Sequence, residues 1–112
     1  MKQSTYDLVG HALDWAVVKA LTWSQAFIKL NYQNGFHPST NWAQGGVIIE
    51  RECISIEHKT GTDWWVATRI EGSAVSEEYG RTPLVAAMRC YVASKLGDTV
   101  DIPDELLTKE TI

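Results

Sequence analysis

The sequence predicts an α+β fold: a small antiparallel sheet of about three to five strands, with two main helices packed mainly on one face. Three observations carry that expectation. Residues 82–97 spell out a helix with both of its ends, residues 9–20 repeat apolar side chains at helical spacing, and the text between them alternates and is broken by turn formers. At 112 residues the chain is expected to form one domain, 1–112, long enough to bury a core without disulfides or metal.

The first helix is expected over about residues 9–20, with Leu8 just outside it. Ala12, Leu13, Ala16, Val17 and Ala20 share one stripe, while Asp14 and Lys19 fall elsewhere and Trp15 lies off the stripe's centre. Residues 25–30 read as a short strand, although Phe27 beside Ile28 spoils strict alternation. Residues 31–46 are rich in turn formers and amides, and so long a connection in a small domain is more often functional than filler.

Residues 47–58 read as a strand with a conflict, because Ile54 and Ile56 share their face with Glu50 and Glu52. A bulge near Arg51 would resolve it, or else Glu50 or Glu52 points into a polar cleft with Arg51 or Arg69 as partner. Residues 59–62 form a hairpin turn with Gly61 at positive φ, and residues 63–71 return as a strand. There Trp64, Val66 and Ile70 face one side and Trp65, Ala67, Arg69 and Glu71 the other. Residues 72–80 read as a second, shorter polar connection.

The helix at 82–97 has the firmest local signals. Thr82 is a side-chain N-cap, Pro83 at the first helical position lacks a donor that would have had no partner, and Gly97 ends the helix. Leu84, Met88, Tyr91, Val92 and Leu96 are expected against the sheet, with Leu13 and Val17. A short helix is expected at residues 103–107, and frayed residues after it.

With 45% hydrophobic and 21% charged residues and a net charge of −4, the composition is that of a soluble globular protein. No apolar run approaches the roughly 20 residues of a membrane span, and the opening residues lack the apolar core of a secretory signal, so a cytoplasmic location and no membrane contact are expected. Scattered basic residues in an acidic chain argue against non-specific nucleic-acid binding. Cys53 and Cys90 have no motif spacing and are expected to be reduced core residues.

His11, His37 and His58 form no HExxH or CxxC pairing, and Ser39, Ser73 and Ser94 have no nucleophile-elbow context, so neither a metal nor a catalytic motif is present. The reading therefore favours a binding protein without a cofactor. The proposed site joins Ser39, Thr40, Asn41, Trp42, Gln44, Gly45 and Gly46 of the long loop with Arg51 and with Arg81 and Thr82 at the helix start. A flat ring, an amide, arginines and helix N-terminal donors together suit a small anionic, nucleotide-like ligand. Trp42 could equally plug the core edge. Two other functions compete: an inhibitor of a host protein anchored by Trp15, Trp42 and Trp65, and a small hydrolase using Glu50 or Glu52. The sequence leaves a homo-oligomer open.

Residues 12–17 (Ala-Leu-Asp-Trp-Ala-Val), residues 38–46 (Pro-Ser-Thr-Asn-Trp-Ala-Gln-Gly-Gly) with Ile48-Ile49-Glu50-Arg51-Glu52, and residues 82–98 give the chain a further signature. In these blocks it resembles the NinX-like family of tailed-phage and prophage proteins, over nearly its whole length. The resemblance implies a phage or prophage accessory protein acting in the host cytoplasm, for example in counter-defence, and the family is a domain of unknown function. Family members usually show aspartate at Asn41, proline at Val47 and Gly-Pro-Thr-Pro in place of residues 80–83. A role for an acid at position 41 therefore does not carry over.

Overall fold

A computed structural model describes residues 1–21, 35–104 and 106. Among the described residues it contains three α-helices and two small antiparallel sheets, an α+β fold. In chain order these are β1 (Lys2–Ser4), a 3-10 turn (Thr5–Asp7), α1 (Gly10–Ala20), α2 (Trp42–Glu52), β2 (Ser55–His58), β3 (Trp65–Glu71), β4 (Ala74–Gly80), α3 (Pro83–Leu96) and β5 (Thr99–Asp101). One sheet pairs β1 with β5; the other has the order β2-β3-β4.

The helix α3 is the axis of the fold. Thr82 caps it by accepting the N–H of Val85, Pro83 opens it, and Gly97 ends it at φ +91, as the sequence predicts. Leu84, Ala86, Ala87, Met88, Cys90, Tyr91 and Val92 are all buried, which is more than one stripe can hold. A helix that is apolar around most of its circumference must be covered from several sides, and α3 touches β2, β3 and β4 as well as α1 and α2. Leu13 and Val17 of α1 are fully buried in the same core. Leu8, next to the 3-10 turn, belongs to it as well.

The three-stranded sheet arises from two tight turns. Gly61 has φ +83 in the predicted turn, and β2 pairs with β3 from Ser55 opposite Thr68 to His58 opposite Trp65. Residues 72–80 are not a polar connection: residues 74–80 are β4, paired with β3 from Glu71 opposite Ala74 to Trp65 opposite Gly80. Gly72 at φ +61 followed by Ser73 is the two-residue hairpin turn, glycine supplying the positive φ of its first central position. Polar residues on the exposed edge strand disguised it.

The largest correction concerns residues 41–58. The loop ends at Asn41, whose side chain accepts the N–H of Gln44 and starts α2. Residues 47–52 are helical rather than extended, and there is no bulge at Arg51 because only residues 55–58 are strand. Gly45 and Ile48 are buried, and Ile49 and Glu52 are partly covered, so positions i, i+3, i+4 and i+7 face inward. Burial of that face overrides the low helix propensity of two glycines and three β-branched residues. The apparent Glu50–Ile54 conflict disappears, since the chain turns at Cys53 between helix and strand.

The strand expected at residues 25–30 lies outside the described residues, as do residues 31–34 of the expected loop. Of the short helix expected at 103–107, Asp104 and Leu106 are helical, and residues 105 and 107 lie outside the described residues. The pairing of β1 with β5 was not legible in the sequence. It joins Lys2 to Asp101 and Ser4 to Thr99, and the buried Thr5 hydroxyl donates to the Gly97 carbonyl at 2.7 Å.

Candidate functional site

The ten residues proposed from the sequence fall into three places. Residues 38–46 form a turn and helix start whose polar groups bond to one another. The His37 carbonyl accepts the N–H groups of Thr40 and Asn41, and Gln44 takes the His37 N–H on its Oε1 while its Nε2 donates to the Gly35 carbonyl at 3.3 Å. Asn41 caps α2, Ser39 is buried, and Gly45 is wedged against Pro38 and Leu84 with no room for a Cβ. The amides are therefore spent on building the turn. Trp42 is 56% exposed and does not plug the core; its ring lies beside Gly46.

Arg51 sits in the last turn of α2, away from the Asn41 cap, and donates from Nε to Glu52 at 3.0 Å. Glu52 also meets Arg69 at 2.9 Å and Lys95 at 3.7 Å, so it ties α2 to β3 and α3. This carboxylate is a structural ion-pair hub, and Glu50 is exposed on the helix surface. Neither has the paired-carboxylate cleft that the hydrolase reading requires.

Arg81 and Thr82 lie at a third place, and there the fold builds a cleft. Its walls are Tyr6, Asp7, Trp64, Glu78, Tyr79, Arg81 and Arg89, around about 490 Å³. An apolar groove of about 530 Å³, lined by Lys59, Thr60, Thr62, Trp64 and Tyr79, shares two of those walls. Trp64 precedes β3, and Tyr79 on β4 stands directly opposite Val66 in register. Residues 64, 66 and 79 thus occupy one face of the hairpin. The Arg81 guanidinium lies 4.6 Å above the Trp64 ring centroid and 4.0 Å from Asp63.

Arg89 supplies the floor. It is 8% exposed, and its Nε and Nη1 donate to the backbone carbonyls of Leu8 at 2.8 Å and Tyr79 at 2.7 Å. Burial pulls its pKa down, and Glu78 and Asp7 oppose that through space without a direct ion pair. Glu78 is itself pushed up, first by burial and then by Asp98, with Arg89 pulling the other way. The cleft lining therefore carries two guanidinium groups, Arg81 and Arg89, beside two carboxyl groups, Asp7 and Glu78.

Of the residues proposed from sequence, only Arg81 lines this cleft, while Thr82 beside it caps α3. The signal for Arg89 was present, since it is the one charged residue within the apolar run 84–92. Tyr79 and Glu78 were missed because β4 was read as a loop. Tyr6 and Asp7 come from a distant turn that nothing local connects to α3.

The cysteines are both free. Cys90 is buried as expected, its thiol pushed up to about 12 mainly by burial. Cys53 is exposed rather than in the core and holds the left-handed C-cap of α2 at φ +55. Among the described residues, no three His, Cys, Asp or Glu are grouped to hold a metal ion, and no helix is long and apolar enough to cross a membrane.

Compared with protein-family models, the chain matches the model described as Bacteriophage P22, NinX, over residues 4–95. That span runs from the last residue of β1 through nearly the whole of α3, and takes in every wall of the aromatic cleft. No curated protein matches the chain.

Proposed function

From the premise that the chain belongs to the Bacteriophage P22 NinX family, we propose that it is a phage accessory protein that binds a small planar anion, of nucleotide type, in the Trp64–Arg89 cleft. The observation that carries this reading is Arg89: a buried guanidinium at the floor of an aromatic-walled cleft, satisfied by backbone carbonyls and not by a carboxylate. Taking a cation out of water is costly, and an anion arriving in the cleft offsets that cost. Trp64 and Tyr79 offer ring faces for stacking, and Arg81 a second, mobile positive charge at the rim. The phage origin suggests counter-defence by sequestering a host nucleotide, an inference from family company alone.

The test is a titration of the purified chain with mono-, di- and cyclic nucleotides, followed by tryptophan fluorescence and calorimetry. Saturable binding that Trp64→Ala and Arg81→Ala each weaken about tenfold or more supports the reading, since a stacked base or a charge-assisted bond contributes roughly 1–3 kcal/mol. A flat response across all three classes overturns it. The second reading, an inhibitor of a host protein, then takes its place, because Ile70 and Val75 face each other across β3 and β4 and are both exposed. Trp15 and Trp65, proposed earlier as anchors for such an interface, are half-buried.

A further inference from the structure

One face of α1 carries a buried acid that the aromatic cleft does not use. His11 and Asp14, three positions apart, share a helix face. They line a separate cavity of about 280 Å³ with Trp15, Phe36, His37 and Leu106. Asp14 is 6% exposed; its Oδ1 accepts the backbone N–H of Ser39 at 2.9 Å, and its Oδ2 lies 3.8 Å from His37 Nδ1. The His11 and His37 rings stand edge to face with centroids 6.4 Å apart. About half of the His37 side chain stays exposed, and Gly35, at φ +81, leaves the space beside Nε2 open. Burial pushes the Asp14 carboxyl up, while Ser39 and the two histidines pull it back.

We propose that this cavity is a general acid–base site acting on small phosphodiesters that carry a neighbouring hydroxyl group, the class to which ribonucleotide linkages belong. Asp14 is a positioning residue: its Oδ2, 3.8 Å from Nδ1, acts through the His37 ring by stabilising through space the imidazolium that forms when Nε2 takes a proton. His11 stands across the cavity at a separation that lets two imidazoles serve the entering and the leaving oxygen of one phosphorus centre. Trp15, half-buried at the cavity wall, offers a ring on which a base can stack, and the buried Phe36 backs the wall. The volume holds about one nucleoside, which fits a short substrate and not a long polyanion on a chain of net charge −4.

The step balances without a co-reactant. His37 Nε2 takes the proton of the 2′-hydroxyl, and that oxygen forms a bond to phosphorus. The bond from phosphorus to the 5′-oxygen breaks, and the departing oxygen keeps the electron pair and receives a proton from the imidazolium of His11. The products are a 2′,3′-cyclic phosphate and a free 5′-hydroxyl. Exchange with water returns both histidines to their starting states.

The experiment incubates the purified full-length chain with the dinucleotide uridylyl-adenosine and with its 2′-deoxy analogue, and resolves the products by chromatography. Uridine 2′,3′-cyclic phosphate and adenosine are expected from the first and no cleavage of the second. His11→Ala and His37→Ala should each lower kcat at least about 100-fold with unchanged circular dichroism. Asp14→Asn should lower kcat at least about tenfold with KM little changed, a split that a purely structural role would not give. His37→Gln serves in place of His37→Ala if the latter does not fold. Glu57→Gln, an exposed change on β2, should cleave normally, and nucleotide titration of the His37 variant reads the Trp64 cleft by itself, so failure of the cleft reading and failure of this one are distinguished. Absence of the cyclic product, cleavage of the deoxy analogue, or wild-type rates in the histidine variants would overturn the proposal.

Discussion

Arg89 of α3 donates from Nε to the Leu8 carbonyl oxygen at 2.8 Å across 81 positions of sequence. The same guanidinium reaches the Tyr79 carbonyl, so one side chain joins the entry to α1, the end of β4 and the central helix. Arg89→Met should cost about 1–3 kcal/mol, because two carbonyls lose a charged donor. Arg89→Lys should recover only part of it, since an ammonium cannot reproduce the guanidinium fork. Urea denaturation of the three proteins checks this. A fully stable methionine variant would show that the bonds do not hold the cleft floor.

Trp64 and Trp42 should separate binding from folding. Trp42 is largely exposed on α2, so Trp42→Ala should change stability by no more than about 0.5 kcal/mol and leave nucleotide titrations as they are. Trp64→Ala should abolish most of the fluorescence response. A drop of many degrees in the melting temperature of Trp42→Ala would contradict its placement.

Gly45→Ala should be strongly destabilising for so small a change. A Cβ there would overlap the Pro38 carbonyl and the Leu84 side chain. Forcing α2 away from α3 should cost about 1–3 kcal/mol, while Gly46→Ala, whose Cβ would meet only the Trp42 ring at ordinary contact distance, should be neutral or slightly stabilising. Thermal melts of the pair check the asymmetry.

Asp14 should make stability depend on pH in the direction opposite to a salt-bridged acid. Its folded-state pKa is raised above the ordinary 3.8, chiefly by burial, so between the two values the native protein binds more protons than the unfolded chain. That contribution is complete below 3.8 and is lost as pH rises through the folded value. Asp14→Asn removes the titration. Wild type should therefore gain on the variant as pH falls from 7 toward 4, measured as the wild-type minus variant difference in urea midpoints; a wild type that loses ground over that range would contradict the burial of this carboxyl.

The two thiols should react at different rates. Cys53 is exposed, whereas Cys90 is buried, held up near 12, and directs Sγ to the Ser76 carbonyl at 3.4 Å. A disulfide reagent should label one thiol quickly in the native protein and the second only on denaturation. Cys53→Ser should remove the fast phase.

Elements with their own punctuation were legible in the chain. Thr82, Pro83 and Gly97 state the ends of α3, Leu13 and Val17 mark the inner stripe of α1, and Gly61 marks the first hairpin turn. The second turn, Gly72-Ser73, was equally local, but polar Ser76, Glu77 and Glu78 suggested a loop because an edge strand keeps many side chains in water. Of the cleft, Arg81 alone was among the residues the sequence pointed to, and Arg89 was legible as a charge inside an apolar run.

What the sequence determined by itself was the α+β class, the central helix with its caps, and the family, since these rest on residues that interact with neighbours a few positions away or on long unbroken blocks. Tertiary structure decided that residues 42–52 are helix, because the benefit of burying Gly45 and Ile48 against α3 outweighs local propensity. It also decided which side chains meet. Tyr6, Trp64, Tyr79 and Arg89 come from four segments, as Asp14 and His37 come from two, and periodicity within one segment carries no information about which other segment will pack across from it.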